Sequence, residues 1–193
     1  PSPAGAAGQD RGLRPKGVLG LPLLCWGMAV CQTCAIAMNM SLTPLANQIA
    51  HGSYDFSQEL LFTKLLGDFV GRGVFLLLPK PRTPGRGRGR RCCAACRSPQ
   101  RQAMLVWLIE LCRAPLWVTL YLRALGGGGD GGQALLWGVW LPLISSGALS
   151  ASMCLEIAAT VVQGEGKRKV PLVMSCSVYT GFSSGIVVAL LTP

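Results

Sequence analysis

Five long apolar stretches, separated by shorter connections rich in Arg and Lys, set the strongest limit on how this chain folds. They cover about residues 17–38, 60–78, 103–122, 134–162 and 170–191. A helix needs about 20 mostly apolar residues to cross about 30 Å of hydrocarbon, and all five stretches come close to or exceed that length. The first and last stretches also lack the charged face of a soluble helix. The pattern predicts an all-α, polytopic transmembrane helix bundle with five spans.

The composition supports the membrane class and argues against a nucleic-acid-binding domain. Only 13% of the 193 residues are charged, compared with about 25% in ordinary soluble domains. The net charge of +10 comes mainly from three short stretches, which hold 14 of the 18 Lys and Arg residues. A nucleic-acid-binding domain would spread these residues over a folded surface and carry a recognisable motif, which this sequence lacks. We therefore expect no nucleic-acid partner.

The positions of the basic stretches predict the orientation of the chain in a membrane. If five helices alternate in direction, all three stretches lie on one side, which the positive-inside rule makes cytoplasmic. The predicted parts are a basic cytoplasmic flank at 1–16, two helices at 17–78, a basic cytoplasmic loop at 79–102, and three helices at 103–193 with an external Gly-rich loop at 126–132. The predicted localisation is an integral, multi-pass position in the plasma membrane or in an organelle membrane.

The predicted loop at 79–102 contains eight Arg and Lys residues and no acidic residue. Such a loop is a candidate for contact with anionic lipid headgroups, and a solvated linker is the alternative. The chain begins at Pro1 rather than Met. We therefore expect a fragment of a longer protein.

Three charged residues lie inside the second apolar stretch. Lys64, Asp68 and Arg72 are spaced at i, i+4 and i+8, which places them on one face of a helix. Charges within a membrane are costly unless they meet a partner or a watery cavity. Asp68 can neutralise either cation, which leaves hydrogen-bonding capacity for a polar solute. We interpret the stripe as part of a solute pathway; the alternatives are a structural ion pair, or cations that snorkel to opposite interfaces.

A second pair of charges lies inside the third stretch. Glu110 and Arg113 are three residues apart and share a helix face. They are expected to pair with each other or with the charged stripe of the second helix. Both are included among the candidate solute-binding residues, which are Lys64, Asp68, Arg72, Glu110 and Arg113.

Two pairs of glycines have the spacing that lets helices approach closely in a membrane. Gly67 and Gly71 lie in the second stretch, and Gly181 and Gly185 lie in the last. Small residues four apart leave a shallow groove into which a neighbouring helix can pack. We therefore assign all four glycines to helix packing.

Two further motifs are not expected to carry chemistry. The Cys-x-x-Cys at 93–96 is a weak metal signal, because a structural zinc site needs four ligands and His51 is the sole histidine. Asn39 begins an Asn-x-Ser glycosylation sequon, but it lies so close to a predicted membrane boundary that we expect it to be unused. The sequence contains no His-Glu-x-x-His motif and no nucleophile–base set within the apolar stretches. We predict neither an enzyme nor a bound metal or cofactor.

The last four stretches contain motifs that resemble those of the equilibrative nucleoside transporter family, and the resemblance extends over about residues 17–193. The Asp-x-x-Gly-Arg motif of that family reads Asp68-Phe69-Val70-Gly71-Arg72 here, although Leu65-Leu66-Gly67 replaces the Asn that often precedes it, and the basic loop is longer than is typical. The weaker matches are Arg113-Ala114-Pro115 in the third stretch, Gly147-Ala148-Leu149-Ser150-Ala151-Ser152 in the fourth, and Met174, Gly181 and Gly185 in the fifth.

This resemblance implies a function. Members of the family have eleven helices, a cytoplasmic central loop and an external C-terminus, so the five spans would be helices seven to eleven, the C-terminal part of a major-facilitator-like bundle. The missing N-terminal helices would be partners, and we expect the fragment not to work alone. The solute would be a nucleoside or nucleobase, moved by alternating access without chemistry, with Asp68 and Arg72 contacting its ribose or base.

Two alternatives remain open at this point. The riboflavin transporter family also has eleven helices and shares the general pattern, so the solute could be riboflavin or another small polar molecule. A membrane scaffold fragment without transport activity is an alternative from another class. A scaffold would tolerate neutral replacements of Asp68 and Arg72, whereas a transporter would not.

Overall fold

A computed structural model describes residues 18–49, 54–78, 98–126, 132–162 and 164–191. Within these ranges the chain contains helices and no strand. The five α-helices, in chain order, are α1 Leu23–Ile49, α2 Tyr54–Leu77, α3 Pro99–Leu125, α4 Gly132–Val161 and α5 Val170–Leu191. Two short 3-10 helices, Val18–Gly20 and Gly164–Arg168, precede α1 and α5. The all-α prediction is confirmed for the described residues.

Several predicted segments lie outside the described residues. These are the basic flank at 1–16, residues 79–97 of the basic loop and residues 127–131 of the Gly-rich loop. The Cys-x-x-Cys at 93–96 and His51 also lie outside. The expected contact between the basic loop and anionic lipid therefore stays a prediction.

The first three helices are longer than the apolar stretches that predicted them, whereas α5 matches its predicted stretch. α1 continues to Ile49, beyond the predicted end at residue 38, and α2 begins at Tyr54 rather than at residue 60. α3 begins within the predicted loop, where the Oγ of Ser98 accepts a hydrogen bond from the backbone N–H of Arg101 (3.3 Å). Pro99 takes the first helical position, where the missing N–H costs little. Capping and backbone hydrogen bonds thus extend the helices past the point where hydropathy falls.

Within the described residues, four helices are long and apolar enough to cross a membrane. These candidate spans are Leu23–Leu42, Pro99–Arg123, Gly138–Val161 and Glu165–Leu191. They confirm four of the five predicted spans as candidates and are compatible with a multi-pass membrane protein. α2 has sufficient length, with 24 residues, but it does not belong to this group because its charged residues interrupt the apolar sequence.

α1 and α5 run parallel and form the most extensive helix contact of the described structure. A Cβ atom added to Gly181 would lie 2.8 Å from the backbone oxygen of Thr33, and one added to Gly185 would lie 2.8 Å from that of Ala37. Both glycines of α5 therefore allow its backbone to approach that of α1.

α2 packs on α4, and these two helices are also parallel to each other. A Cβ atom on Gly67 would lie 2.9 Å from the Ile144 side chain, and one on Gly71 would lie 2.8 Å from the Cβ of Ala148. The second glycine also lies against the backbone oxygen of Ser145. The glycines thus form the contact face of α2.

α4 runs opposite to α1. Asn39 of α1 lies beside Gly147 of α4, whereas Leu21 before α1 and Val162 after α4 both lie near Gly166. α3 is parallel to α1. Trp107 of α3 lies near Gly27 of α1, and further along both helices Trp117 donates a hydrogen bond to the Oγ of Ser41. The helices therefore alternate in direction, and α1, α3 and α5 begin where α2 and α4 end. We call this end of the bundle the basic end; exposed cations near it are Arg101, Lys167, Arg168 and Lys169.

The main apolar core lies in the half of the bundle towards the basic end. Its buried members come from α1, α3, α4, α5 and the segments beside them, and include Leu21, Cys25, Met28, Val106, Ile157, Val162, Val170 and Met174. Phe75 and Leu78 at the end of α2 pack against this core. Lys64, Asp68 and Arg72 of α2, and Glu110 and Arg113 of α3, lie nearer the middle of their helices.

Candidate functional site

A cavity of about 570 Å³ lies between α1, α2, α4 and α5. The three charged residues predicted as a stripe on α2, Lys64, Asp68 and Arg72, all line it. Polar lining also comes from Gln32 and Asn39 on α1 and from Ser152 on α4. The apolar part of the wall includes Ile36, Met40, Leu61, Leu65, Ile144, Leu155, Val178 and Phe182. The cavity therefore combines charged, polar and apolar surfaces.

Asp68 and Arg72 form an ion pair at the cavity. The Arg72 Nε lies 2.9 Å from the Asp68 Oδ2, and the two side chains are 69% and 41% exposed, respectively. A carboxylate accepts through two oxygens and a guanidinium donates through five N–H groups, so one close contact leaves both groups with further capacity. Their exposure keeps that capacity accessible to a molecule in the cavity.

The packing of α2 explains why the charged stripe reaches the cavity. The glycine face of α2, Gly67 and Gly71, lies against α4. The charged residues each follow or precede a glycine by one to three positions, so they lie beside this contact instead of within it. The outward surface of α2 is apolar, with Phe62, Phe69 and Leu76 strongly exposed.

Glu110 and Arg113 form a second ion pair, which is buried and does not line the cavity. The Nη1 of Arg113 lies 2.8 Å from both carboxylate oxygens of Glu110, and the Arg113 and Glu110 side chains are 3% and 8% exposed. The Nε donates to the backbone oxygen of Leu143 at 3.2 Å. Of the two partners expected from the sequence, the neighbour on the same helix is the one observed.

The buried ion pair reaches the cavity wall through Asn39, which the sequence analysis noted only as the start of a glycosylation sequon that we expect to be unused. The Nη2 of Arg113 donates to the Oδ1 of Asn39 at 2.7 Å, and Asn39 lines the cavity. The prediction missed this role because the first span was ended at residue 38, whereas α1 continues to Ile49. Inside the bundle, this half-buried amide forms part of the site.

Gln32 is the second cavity residue that the sequence reasoning missed. Its Oε1 lies 2.8 Å from the Oγ of Ser177 on α5, so the amide joins two walls of the cavity. Gln32 and Asn39 are seven residues apart on α1, a spacing that places both on one helix face. Two amides at that spacing within an apolar helix were the signal that could have identified this face.

Comparisons with protein-family models, with curated proteins and with solved structures find no match for this chain. A function for this chain therefore has to be inferred from the geometry of the cavity and from the motif resemblance described above.

Proposed function

We propose that this chain forms part of a membrane transport pathway for a small polar solute, with nucleosides as the first solute class to test. The observation that carries the proposal is the lining of the cavity by Lys64, Asp68 and Arg72. Ionisable residues within membrane-spanning segments are rare and usually mark solute or ion pathways. Three of them on one helix face, all at one cavity, are best accounted for by such a pathway.

The proposal requires α2 to be a fifth span, and its surface supports that role. Phe69 and Leu76 are 76% and 68% exposed, and exposed apolar residues of this kind continue along the helix away from α4. Exposing this apolar surface to water would cost free energy, whereas contact with the hydrocarbon of a membrane would not. The charged stripe would then face the cavity while the apolar surface faces lipid or further helices.

The size and chemistry of the cavity suit a nucleoside. Small-molecule sites usually enclose about 300–1,000 Å³, and this one encloses about 570 Å³. The Asp68 carboxylate could accept from two ribose hydroxyls, and the planar guanidinium of Arg72 could donate to a base or hydroxyl oxygen. The apolar wall offers a surface for the face of a base. A flavin presents a similar combination, so riboflavin is the second solute to test.

The wider architecture belongs to the same proposal. The Arg72 side chain is 69% exposed, which is unfavourable for a cation at membrane depth unless water or protein surrounds it. We propose that further helices of a major-facilitator-like bundle cover this side of the cavity. Alternating access would then arise when the five helices of this chain rock against the further helices, with the solute bound between the two groups.

The test is saturable uptake of tritiated uridine and adenosine by cells that express the complete transporter proposed above, in which this chain is joined by the further helices. Its Asp68→Asn and Arg72→Ala variants are compared with it at matched surface amounts. We expect each variant to lower uptake by at least about 10-fold, the effect of losing a hydrogen bond to a charged group. Glu165→Gln and Arg123→Ala are the matched controls, because both residues are exposed and do not line the cavity.

The controls should retain uptake at the level of the unmodified protein. Uptake of riboflavin but not of nucleosides would replace the proposed solute and keep the transport function. Normal uptake in both cavity variants would reduce the charged stripe to a structural feature. Absence of uptake for all three solutes would contradict the transport proposal and favour a membrane scaffold.

A further inference from the structure

Asn39 connects the cavity to the buried ion pair, and its orientation is determined by its partner. The Nη2 of Arg113 lies 2.7 Å from the Oδ1 of Asn39. A guanidinium has donors and no acceptor, so the amide atom that faces it has to be the oxygen. The alternative amide orientation would point two N–H groups at another donor. The Arg113 contact therefore determines which end of the Asn39 amide is still available for a hydrogen bond to another partner.

The available end is the Nδ2 group with its two N–H donors. Within the part of the chain that the structure describes, the hydrogen bond of the Asn39 side chain is the one accepted from Arg113. Because Asn39 lines the cavity and is half-buried, an acceptor on a bound molecule can satisfy these donors.

Gly147 provides the space in which this amide lies. A Cβ atom at that position would stand 2.5 Å from the Asn39 Oδ1 and 2.6 Å from its Nδ2. It would also collide with the Nη2 of Arg113. Any side chain at position 147 would therefore displace both the amide and its partner.

Arg113 can hold the amide in place because Arg113 is itself held at several points. Both oxygens of Glu110 and the backbone oxygen of Leu143 accept from it. A buried charge keeps one geometry when its partners leave no comparable alternative, since breaking the pair is strongly unfavourable. The carboxylate also neutralises the guanidinium, so the pair adds orientation without adding net charge.

We propose that Asn39 binds the solute by donating through Nδ2 to a hydrogen-bond acceptor, such as a ring carbonyl, and that Glu110 and Arg113 are positioning residues for this amide. The inference rests on the transport function proposed above. It assigns the solute to the class of neutral polar molecules that carry a ring acceptor, to which both nucleosides and flavins belong.

The first test is Asn39→Asp, which keeps the side-chain shape and an acceptor for Arg113 but removes both donors. We expect KM for uridine uptake to rise at least about 10-fold, the usual effect of an unmade hydrogen bond to a buried polar group. The value of kcat should stay near that of the unmodified protein. Equilibrium binding of tritiated uridine to the purified protein in detergent should weaken by the same factor. Thr119→Ala is the control, because Thr119 is exposed and bonds the Pro115 backbone oxygen of its own helix.

The second test moves the amide without changing its chemistry. Gly147→Ala should raise KM in the same way, because the added methyl group displaces Asn39. Gly138→Ala on the same helix is the control, since a Cβ atom there meets nothing within 4 Å. Arg113→Lys keeps the positive charge but loses the planar fork, and it should raise KM while kcat is retained.

The outcomes separate this inference from the proposed function. Uptake that continues with an unchanged KM and unchanged binding in Asn39→Asp would overturn the role of Asn39 and leave transport standing. A fall in protein amount and kcat at constant KM would show a purely structural role and would also overturn it. If the complete transporter, without substitutions, neither binds nor takes up uridine, adenosine or riboflavin, both proposals are wrong.

Discussion

Two ion pairs of similar local geometry have different surroundings in this bundle. Asp68 and Arg72 on α2 are four residues apart, and Glu110 and Arg113 on α3 are three apart; their closest N···O distances are 2.9 and 2.8 Å. The α2 pair is largely exposed at a cavity, whereas the α3 pair is buried among α1, α3 and α4. Helical spacing brings the charges of each pair together, and the packing of the helix decides what surrounds them.

The difference indicates which pair is free to meet a solute. Arg113 directs its donors to Glu110, Leu143 and Asn39, so its contacts serve the protein itself. Asp68 and Arg72 share their contact at the edge of a cavity and keep further hydrogen-bonding capacity. We therefore expect the buried pair to govern folding and orientation, and the exposed pair to govern solute uptake.

The strongest test of this comparison removes one cation from each pair. Arg113→Ala leaves Glu110 as an unpaired buried charge, and we expect the free energy of unfolding to fall by about 3–5 kcal/mol. Arg72→Ala breaks an exposed pair and should cost at most about 1 kcal/mol. Unfolding of the purified protein in mixed micelles with increasing SDS would measure both values. Equal losses would show that burial does not separate the two pairs.

A smaller effect is expected when both members of the buried pair are replaced. Glu110→Leu combined with Arg113→Met exchanges the ions for apolar side chains, and such exchanges are often neutral or stabilising. We expect the double variant to recover at least about 2 kcal/mol of the stability lost in Arg113→Ala. The KM for uridine should stay raised, because Asn39 has lost its partner. Recovery of both stability and KM would contradict the positioning role.

The smallest change in stability is expected from exchanging the charges of the exposed pair. Asp68→Arg with Arg72→Asp keeps an ion pair at the same spacing, so the free energy of unfolding should change by no more than about 1 kcal/mol. Uptake should remain lost, because the carboxylate and guanidinium have changed places relative to the solute. Restored uptake in the same cell assay would indicate that the pair acts only by neutralising charge.

The sequence predicted the arrangement of the charged residues of α2 more completely than that of the charged residues of α3. The spacing of Asp68 and Arg72 predicted a common helix face, and the structure places both at one cavity. For Glu110 the sequence left two partners open, because a carboxylate three residues from Arg113 could also turn towards α2. The choice between them depends on the rotation of α3 against its neighbours, which no local pattern encodes.

Asn39 shows what the sequence could not supply. A sequon beside a predicted boundary suggested a residue outside the membrane, whereas α1 carries Asn39 against α3 and α4. Asn39 contacts Arg113, which is 74 residues away along the sequence, and Gly147, which is more than 100 residues away. Such contacts exist only when three helices pack together, so hydropathy along the chain gives no sign of them.

The sequence by itself determined the helical class, the four candidate spans and the position of the charged stripe on one helix face. It did so because backbone hydrogen bonding in an apolar environment and the 3.6-residue helical period act locally. The tertiary structure alone decided which charges are buried, which line the cavity, and how the Asn39 amide is oriented. The burial of Glu110 and Arg113 and the orientation of Asn39 depend on how closely α1, α3 and α4 approach one another, where Gly147 leaves room for the two side chains. The charges that line the cavity are placed there by the contact of α2 with α4 at Gly67 and Gly71.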